Sequence, residues 1–185
     1  MRRFAIALVH HPVLDGRGEI VTSAVTNLDV HDLSRSARTF GASDYFIVHP
    51  ITAQRELVGK IQKHWAEGSS GKRIPARKDA LALLRTVASL EGAYDALGGR
   101  ASIEVWTTGA KAEGAVLAMP EARARCASGE KPLLIVFGTA WGLAPEVHAA
   151  ADGRLAPILG AADAYNHLSV RSACAIYLDR LLGDP

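Results

Sequence analysis

Two glycine-bearing loops and a polar cluster in the last third of the chain carry the residue types that can do chemistry. The apolar run Lys-Pro-Leu-Leu-Ile-Val-Phe-Gly (131–138) leads into Thr-Ala-Trp-Gly (139–142), and Leu-Ala-Pro-Ile-Leu-Gly (155–160) precedes Tyr165, Asn166, His167 and Ser169. Gly138 and Gly142 permit positive φ and close backbone approach, which suits main-chain amides and carbonyls to holding a flat heterocycle such as adenine. Their other use is a pair of tight turns. Asn166, His167 and Ser169 stand just before a helix, where polar side chains cap orphan N–H groups. Capping accounts for one or two of them, and three beside a tyrosine tilt the reading towards a ligand. Trp141 can stack on a base or fill the core, the commoner place for a lone tryptophan. The pattern points to a nucleoside-like cofactor held where two buried strands end.

Several nearby signatures fail, and each failure excludes a chemistry. Gly16-Arg-Gly18-Glu-Ile-Val21 lacks the third glycine of a dinucleotide fingerprint. Gly68-Ser-Ser-Gly71-Lys72-Arg73 has neither the spacing nor the hydroxyl of a P-loop. Gly138 and Gly142 have the spacing of a nucleophile elbow, but Ala140 stands at its centre, so acyl transfer there has no nucleophile. His10 and His11 are adjacent, yet the seven histidines show no ligand spacing; no metal site is expected, and these side chains read as surface or core-edge residues.

Charge is informative only locally. The net charge is +2, but Lys60, Lys63, Lys72, Arg73, Arg77 and Lys78 face the single acid Glu67, and Arg35 and Arg38 form a second pair. A clustered basic face serves a polyanion, since each neutralised phosphate releases counterions; a solvated helix surface looks the same. The 185 residues suffice for one domain with a proper core, and 49% hydrophobic with 22% charged is ordinary globular composition. No apolar stretch reaches the roughly 18 residues of a membrane span. The start Met-Arg-Arg-Phe-Ala-Ile-Ala-Leu-Val reads as a buried strand rather than a leader. Cys126 and Cys174 lie far apart, as reduced thiols of a cytoplasmic protein do.

The elements that must position these residues alternate. Strands are expected at 4–9, 45–48, 103–107, 133–137 and 155–158, with an extended segment in 19–26 after a loop at 10–18. Helices are expected at 27–40 (Asp29 as N-cap, Asp32 at N3, Gly41 as the stop), 52–65 (Leu57, Val58, Ile61 and Trp65 inward), 76–97, 111–119, from Pro145, and 169–182. Residues 67–75 read as the least structured stretch. Such alternation argues for an α/β fold, a mostly parallel sheet flanked by helices, in one domain.

At this point the order Phe137-Gly-Thr-Ala-Trp-Gly-Leu143, Leu155-Ala-Pro-Ile-Leu-Gly160, Asn166-His-Leu-Ser-Val-Arg-Ser-Ala173 resembles the C-terminal motifs of SPOUT-class RNA methyltransferases. The likeness is nearest to a bacterial branch with relatives tied to tRNA guanine-N1 methylation. Asn27 to Gly41 is similar to the first SPOUT motif, with Arg35 on the helix after strand one, and Thr107-Thr108-Gly109 matches the loop that covers the cofactor. The resemblance implies a C-terminal deep trefoil knot, otherwise almost absent from proteins. It also implies a homodimer and a bent S-adenosylmethionine gripped by Thr107, Thr108, Gly109, Phe137, Gly138, Thr139, Gly142, Ile158, Gly160, Asn166, His167, Leu168 and Ser169. RNA, tRNA above all, would lie along Arg38, Lys60, Lys63, Lys72, Arg73, Arg77 and Lys78. Asp29 stands where SpoU-type members have asparagine, and the 138–142 loop lacks their glutamate, which leaves the methyl acceptor open.

Methyl transfer needs positioning and a base for the acceptor's proton. Arg35 is the candidate for a ribose 2′-OH, and Asp163 for guanine N1; base methylation is preferred on overall likeness. Two alternatives stand beside this reading. A non-catalytic RNA-binding module of the same fold would bind tRNA without transferring methyl, and an unrelated nucleotide-binding α/β enzyme would prefer NAD or ATP to S-adenosylhomocysteine.

Overall fold

Three runs buried along their whole length make the centre of the sheet. In the computed structural model, which describes residues 2–111, 114–161 and 165–183, the chain begins with β1 (Phe4–Val9), β2 (Val13–Leu14), β3 (Ile20–Val21), α1 (Asn27–Thr39) and β4 (Asp44–Val48). It continues through α2 (Thr52–Glu67), α3 (Ser69–Arg73), α4 (Pro75–Leu81), β5 (Leu84–Val87), α5 (Leu90–Ala96) and β6 (Glu104–Thr107). The last elements are α6 (Met119–Ser128), β7 (Leu133–Gly138), α7 (Pro145–Ala149), β8 (Gly153–Arg154) and α8 (Val170–Leu182). Six strands pair in the order β5-β4-β1-β7-β6-β8, every pair parallel, while β2 and β3 form a small antiparallel ladder. Near-continuous Val, Ile and Leu in β1, β4 and β7 is what a sheet covered on both faces requires.

The two faces carry different helices. Ile6, Leu8, Tyr45, Ile47, Ile135 and Phe137 pack against Leu33 and Ala37 of α1, Val58 of α2, Leu81 of α4, Cys126 of α6 and Cys174, Tyr177 and Leu181 of α8. Ala5, Ala7, Phe46, Val48, Leu134 and Val136 face Leu90 and Ala93 of α5 and Val147 of α7. The chain steps outward from β1 through β4 to β5, then returns on the other side, where β7 inserts between β1 and β6. The switch point of the sheet therefore lies between β1 and β7, the place where open α/β sheets bind ligands.

The structure departs from the sequence reading of the elements in six places. Residues 76–97 are not one helix: α4, β5 and α5 divide them, because Leu84 to Val87 pairs with β4 and that pairing overrides a stripe of leucines that also fits helical spacing. The expected helix at 111–119 is absent among its described residues; Gly114 has φ +75°, and Leu117 bridges to Leu155. Of the strand expected at 155–158 only that bridge at Leu155 forms, after β8 at 153–154, and Pro157 has no N–H to donate further. Residues 69–73 form α3, and Gly68 and Gly71 are there for packing: a Cβ would lie 2.3 Å from the His64 carbonyl and 2.0 Å from that of Trp65. Finally, Thr26 rather than Asp29 caps α1; its hydroxyl accepts from Asp29 N, and the Asp29 carboxylate accepts from Thr26 N in a capping box. On α2, Leu57 turns outward, and Val58 is the buried residue.

Candidate functional site

The C-terminal ends of β1, β7 and β6 fall level, with Val9 beside Gly138 and Thr107 beside Val136. The loops leaving them are tied to one another. Thr107 is buried, its hydroxyl 2.9 Å from His148 Nδ1 and its carbonyl accepting from Leu155 N at 2.8 Å. Thr108 donates to the Val136 carbonyl through both its N–H and its hydroxyl. A methyl at Gly109 would lie 3.2 Å from Arg154 Nη2. Gly138 has no room for a side chain, because a Cβ would sit 2.7 Å from Leu143 N and 2.9 Å from its Cγ. The turn beyond it holds Ala140 at φ 52° and Gly142 at φ 111°. It is clamped to β2, with Trp141 N donating to the Leu14 carbonyl and Leu14 N to the Gly142 carbonyl.

The third segment returns across these two. Leu117 N donates to the Arg154 carbonyl, Ala156 N to that of Leu117, and Asn166 Nδ2 to that of Ala110 at 2.9 Å. Ser169 caps α8 by accepting from Ser172 N, and Tyr177 OH donates to the Ala156 carbonyl. Between residues 157 and 168, no main-chain group pairs with another main-chain group among the described residues. Leu159, Gly160 and Leu168 are exposed there, and space around Gly160 is open, Tyr165 O being 4.0 Å from an added Cβ. Exposed main chain beside apolar side chains complements a flat heterocycle with donors and acceptors on its edge, so the described part of this stretch fits an adenosine-bearing cofactor.

Beneath the β7 loop lies a polar cluster that sequence reasoning placed at the surface or core edge. His10 and His49, at the ends of β1 and β4, are both buried. Thr139 Oγ1 donates to the Val9 carbonyl, Ser23 Oγ bonds Thr139 Oγ1, and His10 Nδ1 lies 2.9 Å from Ser23 Oγ. The proton order follows: Ser23 donates to Thr139, so His10 donates through Nδ1, and its Nε2 is left bare and without a partner. Burial first, and then His49 close by, pull the His10 pKa down to about 4 against the pull of Asp29 and Ser23. His49 is also lowered, chiefly by burial; its Nδ1 accepts from Ile51 N, so its Nε2 donates to the Ser23 carbonyl. Both rings are neutral at physiological pH, and they fix where Thr139 starts the turn. The legible signal was position, directly at strand ends.

The remaining expected residues sort clearly. Phe137 and Ile158 are core residues, so only their main chains can meet a ligand. His167 is exposed, as is Trp141 at 66%, so of the two uses open to that ring the commoner one, filling the core, is not taken. Asp163 lies outside the described residues. Arg171 of α8, unnoticed in the sequence, reaches Asp29 at 3.5 Å and Asp32 at 3.4 Å and so ties the end of the third segment to α1.

Three of the basic residues share one surface. Arg35, Arg38 and Arg77 share a depression between α1 and α4 with Thr39, Ile74, Ala76 and Ala80. Lys60, Lys63, Lys72, Arg73 and Lys78 are exposed on α2, α3 and α4, while Arg77 is half-buried over the Trp65 ring at 5.1 Å. Arg35 thus stands with this face; none of the loops at the strand ends lines its depression. Among the described residues, no helix is long and apolar enough to cross a membrane.

Comparison with known proteins agrees with this geometry. A family model described as SAM-dependent RNA methyltransferase matches residues 3–183. A tRNA (guanine-N(1)-)-methyltransferase of Oleidesulfovibrio alaskensis is 42% identical over 183 residues, 99% of this chain and 43% of that protein. The chain thus spans less than half the length of this relative. An uncharacterized protein of Aquifex aeolicus is 36% identical over 179 residues, covering 95% of this chain and 86% of its own. In fold, TrmJ from Z. mobilis matches with a TM-score of 0.63 at 18% identity, over 96% of this chain and 67% of that one. The A. aeolicus TrmH/SpoU tRNA modifying enzyme matches with a TM-score of 0.60 at 13% identity, over 98% and 75%.

Proposed function

Because the chain belongs to the family of SAM-dependent RNA methyltransferases, we propose that it methylates tRNA, on a base rather than a ribose, as one domain of a cytoplasmic homodimer. The observation that carries the site is the way the third segment is held against the β6 and β7 loops, by Asn166 on Ala110, Leu155 on Thr107 and Ala156 on Leu117. Gly109, Thr139, Gly142, Gly160, Asn166, His167, Leu168 and Ser169 would hold S-adenosylmethionine there, with main-chain atoms of Thr107, Thr108, Phe137, Gly138 and Ile158. Bound, the cofactor supplies an electrophilic methyl group for in-line transfer. The chain's own part is to orient it: Gly138 and the Ser23–Thr139 bond set the turn, and Ser169 and Arg171 set the start of α8. The contacts of 110–117 with 154–166 support threading of the tail as a deep trefoil knot.

Arg35 is the residue that would polarise a ribose 2′-OH acceptor. Within one protomer it stands in the α1–α4 depression, so it acts on cofactor held by the partner subunit, and Arg38, Lys60, Lys63, Lys72, Arg73, Arg77 and Lys78 track the RNA backbone. Asp163 is the candidate base for guanine N1. Calorimetry with S-adenosylhomocysteine, tritium transfer to bulk tRNA, and nucleoside mass spectrometry of tRNA from a deletion strain test the reading together. Saturable binding, transfer, and loss of one methylated base are expected; loss of a 2′-O-methyl nucleoside would refute the base assignment. Replacing Arg35 by Ala should abolish most transfer and leave S-adenosylhomocysteine affinity nearly unchanged.

A further inference from the structure

Two large aromatic rings are held out into solvent where the chain could have buried them. Trp141 is 66% exposed and Tyr165 71%, whereas Trp106, Tyr45, Tyr177, Phe46 and Phe137 are all fully buried. Trp141 does not dangle. Its turn is fixed by the positive φ of Ala140 and Gly142, its N–H is bonded to Leu14, and Gly16 lies under the ring, where a methyl would come within 3.2 Å of Cε2 and Cζ2. His167 stands edge-on to it, with centroids 6.3 Å apart at 81°, and Tyr165 leans on His167 at 5.2 Å and 58°. The result is a ledge of rings on the same loops that border the proposed cofactor site.

We propose that Trp141 and Tyr165 form a stacking platform for one unpaired nucleobase of the RNA, beside the methyl donor. The proposal rests on the methyltransferase reading of the site and names how its substrate is presented. Charge favours a nucleotide over a protein partner. Residues 107–111, 138–142 and 165–169 contain no acid, while Arg17 follows Gly16 under the tryptophan and Lys111 follows Ala110, the residue that Asn166 holds. Asp15, on the neighbouring turn, accepts from Arg17 N and Glu19 N through Oδ1. Arg17 and Lys111 are the cations these segments offer to the phosphates of a stacked base, with Asp15, Glu19 and Asp163 the acids close by in sequence. A base in a duplex offers no free face, so the acceptor nucleotide comes from a loop or is turned out of its stack.

The test compares the whole protein with Trp141→Ala, Trp141→Phe and Tyr165→Ala, using a short unstructured oligoribonucleotide, its duplex, and S-adenosylhomocysteine. Trp141 is the most exposed of the three tryptophans, so the single strand should quench emission in the wild type and not in Trp141→Phe. Trp141→Ala and Tyr165→Ala should each weaken single-strand binding about tenfold, Trp141→Phe should retain most of it, and S-adenosylhomocysteine affinity should not move. Equal binding of strand and duplex, or a loss confined to S-adenosylhomocysteine, would overturn the platform. So would unchanged RNA affinity with a dimer that now dissociates in light scattering, which would make the ledge a protein interface. Failure of the methyltransferase reading shows separately, as wild-type protein that binds no S-adenosylhomocysteine whatever its affinity for RNA.

Discussion

Replacing Gly138 by Ala is the sharpest probe of the turn that leaves β7. The new methyl carbon would lie 2.7 Å from Leu143 N, 2.9 Å from Leu143 Cγ and 3.0 Å from Gly142 C. The Leu143 side chain can swing aside, but the amide cannot, since Gly142 and Leu143 are held by bonds to β2 and Thr139 and by burial. The main chain must open by several tenths of an ångström, an overpacking cost of about 2 kcal/mol. Strain of half that size, about 1 kcal/mol, added when the turn closes on the cofactor would weaken S-adenosylhomocysteine binding roughly fivefold. Urea unfolding reads the first quantity and calorimetry the second. Gly160→Ala is the control: among the described residues no heavy atom lies nearer than 4.0 Å to an added Cβ, so stability should change by less than about 0.5 kcal/mol. A Gly138→Ala protein with wild-type stability and affinity would refute the claim that backbone approach at this turn shapes the site.

Other expectations can be checked with the same assays. Ser23→Ala removes the link between neutral His10 and Thr139 and should cost about 1–2 kcal/mol in urea unfolding, with weaker S-adenosylhomocysteine binding. Glu104 accepts from Trp106, Arg2 and Arg125 with its side chain 17% exposed, and Glu104→Gln should cost about 2 kcal/mol, between the values for buried and surface pairs. Burial alone would raise the Glu104 pKa, but the bonds from Trp106 and Arg2 and the nearby arginine charges hold it below its ordinary value. Its contribution is therefore complete above the unfolded carboxylate pKa of about 4.3 and fades as pH falls through the lower folded value, so the difference between wild type and Glu104→Gln should shrink below about pH 4. Arg38→Glu with Arg77→Glu should weaken tRNA binding and flatten its dependence on salt, leaving S-adenosylhomocysteine affinity intact.

Runs with one physical solution were legible in the sequence. Phe4–Val9 and Leu133–Gly138 are too short for a helix and too apolar for an edge, and they became the paired centre of the sheet. Ser169 at the start of α8 and Gly41 at the stop of α1 declared themselves by cap chemistry. Residues 84–87 were misread because Leu83, Leu84, Val87 and Leu90 satisfy helical spacing, and only the neighbour β4, distant in sequence, decides between the two states. In the site, the glycines were readable as backbone requirements, whereas the joins between loops were not. Thr107 with His148, Ser23 with Thr139 and Arg171 with Asp29 each link residues whose proximity depends on the finished topology.

The insertion of β7 beside β1 sets an order for synthesis on the ribosome. Phe4 to Val9 is made first and acquires β4 on one flank early, but its other flank must wait for Leu133 to Gly138. Throughout that interval the nascent chain carries a bare, wholly apolar strand edge, a template for pairing with neighbouring chains. Truncated or stalled products that end before residue 133 should therefore aggregate, and chaperones that shield extended apolar segments should be needed most while the middle of this chain is being translated.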